Sequence, residues 1–175
     1  TRAAKTLVVG IDGASFDQFD AADMSNLDGL RADGVTATSN LYAAPMSGTV
    51  SGPGWSTIAT GVWPDKHNVV DNNFTAPKFD QYPDYLTRIE AADPARSSLV
   101  VATWSPVAQT IFGPSVDLRR TGGGDVQTTA AAADYLRNGN PDNTFVHLDE
   151  VDGAGHSVGT AGAASAAPEC RYDGV

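Results

Sequence analysis

Three short apolar runs, each closed by polar residues at its carboxyl end, constrain the fold most. Leu7-Val8-Val9-Gly10-Ile11 is continuously apolar and stops at Asp12-Gly13. That is the pattern of a strand buried in a parallel sheet, with polar residues delivered where the strand ends. Ser98–Trp104 repeats the pattern, and Thr144–Leu148 repeats it again before Asp149-Glu150-Val151-Asp152. A further strand is expected over Val35–Tyr42. Between these runs the spacing turns helical: Leu27 and Leu30 within Asn26–Asp33, stopped by Gly34, then Val126, Ala130, Ala133 and Leu136, stopped by Asn138-Gly139. Strands alternating with helices predict an α/β domain with a mostly parallel sheet flanked by helices. In such sheets the ligand site lies beyond the carboxyl ends of the strands. Asp12 and the Asp149–Asp152 segment both fall there. The polar, proline-punctuated stretch Asp65–Tyr85 is expected to be a long loop over that site, and Gly159–Pro168, rich in Ala and Gly, reads as a loose tail.

Composition narrows the function classes. The 175 residues suit one domain, and 41% hydrophobic with 18% charged residues is a globular balance. A formal net charge of −10 argues against a nucleic-acid duplex or an anionic membrane surface as the main partner. Carboxylates gathered to hold divalent cations would look like excess acidity until the cations are counted, and an acidic solvated surface accounts for the same number. Cys170 is the sole cysteine, which leaves no internal disulfide and no Cys-based zinc cluster. No run approaches the roughly 18 apolar residues of a membrane span. No signal peptide is visible: Thr1-Arg2-Ala3-Ala4-Lys5 leads straight into a strand. That start fits a processed mature protein, hence an extracytoplasmic or secreted one, and a trimmed start equally.

The chemistry concentrates in two segments. In Ser51-Gly52-Pro53-Gly54-Trp55-Ser56-Thr57-Ile58-Ala59-Thr60-Gly61, Pro53 fits the first turn of a helix, where its missing N–H costs nothing. Ser51 then sits at the helix start, where free backbone N–H groups and the positive dipole end favour an anion. A hydroxyl there is placed to attack a bound phosphate, provided a metal ion lowers its pKa. Read alone, the segment is also a Gly/Ser turn capping an ordinary helix. In Asp152-Gly153-Ala154-Gly155-His156, a carboxylate and an imidazole four apart in a glycine-rich turn are able to converge on one zinc-like ion. A surface loop explains that segment as well.

Order and spacing together carry more than either segment. The chain resembles the alkaline phosphatase superfamily, and within it the nucleotide pyrophosphatase/phosphodiesterase branch. That branch opens with a strand ending in Asp-Gly, as at Asp12-Gly13. It continues with a helix of the type seen in Asn26-Leu27-Asp28-Gly29-Leu30-Arg31-Ala32-Asp33-Gly34-Val35. Its nucleophile precedes the Gly of a Thr-Gly pair by ten residues and has Pro two positions on, a spacing reproduced by Ser51, Pro53, Thr60 and Gly61. Pro64, His67, Val69 and Asn72 follow the next motif, and Asp152 with His156 matches the Asp-x-x-Gly-His element.

The resemblance implies an alkaline-phosphatase-like fold, with residues 1–160 as the N-terminal part of such a domain and 161–175 as an irregular tail. It implies two divalent ions, commonly zinc, one held by Asp12 and the Ser51 oxygen and the other by Asp152 and His156. Ser51 is then the nucleophile, and hydrolysis of a small-molecule phosphomonoester or phosphodiester proceeds through a phosphoseryl-type intermediate, with Thr49 the next candidate. Asp149 is a candidate neighbour of the metals. His67 is expected to be structural, and His147 a core residue with its hydrogen bonds satisfied. Gly54 stands where the branch has an Asn that contacts a phosphoryl oxygen, so that contact is expected from backbone N–H groups or Asn73. Trp55 replaces the Arg of the related sulfatase signature. Trp55 and Phe74 are candidates to line a substrate pocket or simply to pack. The branch's Asp-His-Gly segment and final His are absent: His67, His147 and His156 are the only histidines. Each ion is therefore left two protein donors, one short of a hydrolytic zinc site, so this chain alone is expected to bind metal weakly. A sulfatase or phosphonate hydrolase on the same scaffold, and a non-catalytic metal- or anion-binding fragment, are the alternatives.

Overall fold

A computed structural model describes residues 4–39 and 49–158. The first apolar run forms β1 (Thr6–Ile11), followed by two short helices, α1 (Phe16–Ala21) and α2 (Ser25–Asp33). After the undescribed stretch come α3 (Ser51–Thr60), the single turn α4 (Pro64–His67), and α5 (Tyr85–Ala92). Then follow β2 (Ser98–Ala102), β3 (Leu118–Thr121), α6 (Asp125–Asp134), β4 (Asn143–Leu148) and α7 (Glu150–Val158). The four strands form one sheet in the order β1-β4-β2-β3, and every pairing is parallel.

Strand parity sorts the core into two faces. Val100, Ala102 and Phe145 point to one face and pack with Trp55 and Ala59 of α3, Leu86 of α5, and Ile111 and Phe112. Leu99, Val101, Val146 and Leu148 point to the other and pack against Ala132 of α6. β2 and β4 are buried along their whole length, as continuous apolar runs in a parallel sheet should be.

Several sequence expectations need correction. β1 is parallel but sits at the sheet edge, paired only with β4 among the described residues, so Leu7 (52%) and Val9 (51%) are exposed rather than buried. Residues 35–39 form no strand, and the rest of Val35–Tyr42 lies outside the described residues. α2 forms as predicted but buries none of its residues, and Arg31 ties it to Asp20 at 2.8 Å. The Ser98–Trp104 run ends as a strand at Ala102, two residues before Trp104. The helix through Val126 ends at Asp134 and continues as one wide turn, Tyr135–Gly139, stopped by Asn140 in the left-handed conformation. The proposed tail from Gly159 onward lies outside the described residues. Between α4 and α5 the chain is irregular, and it docks on α3 through Asn72, whose Oδ1 accepts from the Gly52 N–H at 2.7 Å.

Candidate active site

β1, β4 and α3 deliver the site. β1 continues its ladder one residue past the strand, with the Asp12 N–H donating to the Leu148 carbonyl at 2.9 Å, so Asp12 is fixed at the carboxyl edge of the sheet. Gly13 then turns at φ +70, and a Cβ there would come within 2.6 Å of the Asp152 backbone. This close approach brings the start of α7 beside Asp12, and it needs glycine on both counts.

α3 presents Ser51 and Trp55, one helical turn apart and therefore on one face, to the same carboxylate. Ser51 Oγ donates to Asp12 Oδ2 at 2.9 Å, and the Trp55 indole N–H donates to that same oxygen at 2.8 Å. The expectation of free amides at this helix start is not met at positions 52–54. Gly52 gives its N–H to Asn72, Pro53 has none, and Gly54 gives its N–H to the Val50 carbonyl at 3.0 Å. These three positions therefore offer an anion no amide. Nor does Asn73 supply the contact that Gly54 lacks, because its side chain turns back to Asp71 at 3.1 Å. Phe74 packs on Trp104 instead of lining the site.

The Asp152–His156 segment is not a turn. It lies in α7, where four residues of spacing put both side chains on one face without any bend. The imidazole Nε2 is 3.2 Å from Asp152 Oδ2, and its side chain is 81% exposed. A Cβ at Gly153 or Gly155 would meet nothing, so neither glycine is required by packing. Asp12, Thr49, Ser51, Trp63, Asp152 and His156 all line one pocket of about 550 Å³, a size suited to a small ligand.

His147 departs from its expected role. It is fully buried, as a core residue should be, but its Nε2 has no hydrogen-bond partner. That nitrogen lies 3.8 Å from Asp12 Oδ2 and 4.0 Å from Asp149 Oδ1. Asp12, His147 and Asp149 thereby offer three donor atoms within 4.8 Å of one another, in a spacing able to hold a cation. Its Nδ1 faces the Trp104 N–H at 3.5 Å, too long a contact to fix the tautomer. As a ligand the ring carries its proton on Nδ1; as a donor to Asp12 it carries it on Nε2. His67 behaves as expected: it is buried, its Nδ1 accepts from the Val69 N–H at 3.1 Å, and its Nε2 lies 3.0 Å from Thr57 Oγ1.

The electrostatics follow from these contacts. Burial alone would raise the Asp12 carboxyl, but the facing His147 and the donors Trp55 and Ser51 outweigh it and bring it down to about 2. Asp149 is pushed upward, mainly by burial. His147 opposes that shift, while the negative neighbours Asp12, Asp152 and Asp125 add to it. Asp125, nearly fully buried, holds this junction: its Oδ1 accepts from the Asp149 N–H at 2.8 Å and its Oδ2 from the Glu150 N–H at 3.0 Å.

The described residues form a parallel α/β sheet with an acidic, hydroxyl-bearing cleft at the carboxyl ends of its strands. The chain belongs to the type I phosphodiesterase/nucleotide pyrophosphatase family, whose profile matches residues 6–112. That match includes Asp12 and Ser51 and stops short of His147, Asp149, Asp152 and His156. Two solved structures of murine ectonucleotide pyrophosphatase/phosphodiesterase 5 share the fold, each at 18% identity. An inactive form in complex with AMP superposes with a TM-score of 0.62 over 94% of this chain, and a second structure with 0.61 over 93%. The chain spans about half the length of these neighbours, 50% and 49%. No described helix is long and apolar enough to cross a membrane.

Proposed function

We propose that this chain carries the nucleophile of a divalent-metal-dependent phosphoester hydrolase, with Ser51 as the attacking group. The observation that carries the reading is the Ser51–Asp12 hydrogen bond of 2.9 Å in the lining of the pocket. Asp12 stays ionised through the physiological range and orients the hydroxyl by accepting its hydrogen bond; too weak a base to keep the proton, it leaves that proton to pass to solvent water as the oxygen attacks. The Ser51 oxygen then forms a bond to phosphorus while the ester oxygen departs with its electron pair. Water hydrolyses the phosphoseryl group in a second displacement and restores the hydroxyl.

The residues fit a metal. The buried, unpartnered His147 Nε2 faces two carboxylates, and a nitrogen-and-oxygen donor set of this kind suits zinc. Asp12, His147 and Asp149 would hold one ion beside Ser51, and Asp152 with His156 a second, more weakly. When bound, the ions supply Lewis-acid stabilisation of the phosphoryl oxygens and lower the pKa of the serine hydroxyl. Because three of the first-turn positions of α3 offer no amide, such charge stabilisation has to come from elsewhere. The AMP in one fold neighbour supports nucleotide-type phosphoesters among the substrates to test.

Purified protein with zinc, offered p-nitrophenyl phosphate, bis-p-nitrophenyl phosphate and p-nitrophenyl sulfate, tests the proposal. Phosphoester cleavage is expected, with Ser51→Ala losing it while fold and zinc content persist. Cleavage of the sulfate alone would favour the sulfatase alternative, and zinc binding without turnover a non-catalytic one. A near wild-type rate in Ser51→Ala would move the nucleophile to another group, Thr49 first.

A further inference from the structure

We propose that Trp55 is a positioning residue for Asp12, its indole N–H fixing the carboxylate in the rotation the site uses. The hydrogen bond stands on its own geometry; its consequence for zinc rests on the metal-site reading above.

Asp12 Oδ2 is engaged twice from one helix face, by the Ser51 hydroxyl and by the Trp55 indole. The two donors differ in kind. A serine hydroxyl rotates to suit whatever acceptor is near, whereas the indole N–H points in one direction set by the ring plane. The ring is itself held on three sides. Its edge meets Phe145 at 6.1 Å and His147 at 4.6 Å between centroids, both close to perpendicular. Its outer carbons lie against Gly10, where any Cβ would overlap the indole. Gly10 is two residues before Asp12 and pairs with His147 in the β1–β4 ladder. A single glycine thus lets the ring approach closely the strand that ends in the carboxylate it orients.

A half-buried carboxylate whose Oδ2 is held by a rigid donor keeps one orientation, with that same oxygen 3.8 Å from His147 Nε2. Without the indole N–H, the only hydrogen bond of this pair is to a rotatable hydroxyl. The carboxylate then turns freely, and its donor atoms no longer wait where His147 and Asp149 converge. Groups that orient a metal ligand typically contribute 10–100-fold in affinity.

Two measurements on the 175-residue chain test the role. In nitrogen-15 spectra, the Trp55 indole proton, assigned by its loss in Trp55→Phe, should lie far downfield. It should move in Asp12→Ala while the Trp63 and Trp104 indoles stay. In zinc competition, Trp55→Phe keeps the ring and removes the donor, so affinity should fall about 10–100-fold at unchanged stoichiometry. Gly10→Ala, which pushes the ring from the other side and keeps the N–H, should fall in the same direction. An indole resonance indifferent to Asp12→Ala, or wild-type zinc affinity in Trp55→Phe, would overturn the proposal. A wild-type chain that binds no zinc would overturn the metal reading, and the indole resonance would then decide the Trp55 role by itself.

Discussion

Ser51, Asp12 and Trp55 meet at one oxygen atom, while His67, ten residues along from Thr57, shows how a nearby histidine is spent on structure. Burial lowers the His67 pKa below its ordinary value, against an opposing pull from Asp65. The folded state therefore takes up this proton less readily than the unfolded chain. Its contribution to stability is complete above pH 6.5 and is lost as pH falls below that value, by at most about 1.4 kcal/mol per pH unit. Chemical denaturation of the metal-free protein between pH 7.5 and 5 should show this loss, and in His67→Gln the slope should flatten. Equal slopes in both proteins would assign the acid sensitivity to other groups.

At the same scale, Asp12 and Ser51 were legible because their signals are local: a strand end, and a helix start with proline in its first turn. His147 was not. By parity it belongs with Phe145 on the α3 face, and the sequence shows only a histidine inside an apolar run. Its approach to Asp12 arises from the pairing of β1 with β4, segments far apart in the chain that no local pattern connects. The Trp55 donor was half-visible, since a spacing of four after Ser51 places it on the same helix face. Its acceptor depended on the fold.

The elements that position the site are held at their ends. α7 begins at the Asp125 carboxylate, which takes the N–H groups of Asp149 and Glu150 and also the Thr103 hydroxyl at 2.7 Å. Asp125→Ala leaves two backbone donors and a threonine without this acceptor, at a cost of about 2–4 kcal/mol. Thermal unfolding should show that loss, and zinc binding should weaken with it because Asp149 and Asp152 flank the same junction. Unchanged stability would mean that solvent replaces the carboxylate without penalty. α7 escaped the sequence reading because Gly153 and Gly155 lower helix propensity, and its setting after β4 overrides that preference. β3 was missed for the opposite reason: Leu118-Arg119-Arg120-Thr121 has no apolar run, and its pairing with β2 makes it a strand. α5 carried a readable signal, since Asp84 caps it by accepting the Thr87 N–H at 2.9 Å.

For the whole molecule, β1 is an edge strand among the described residues, with Leu7 and Val9 exposed, and the candidate metal donors gather where it meets β4. Within this chain the three donors around His147 set the expectation. Equilibrium titration of zinc into the 175-residue protein, in competition with a chromogenic chelator, measures it most directly. The account predicts one equivalent bound ahead of a weaker second. Asp12→Asn and His147→Gln should each remove the first, and His156→Ala only the second. Unchanged stoichiometry and affinity in Asp12→Asn, or two equivalents bound equally tightly, would contradict it.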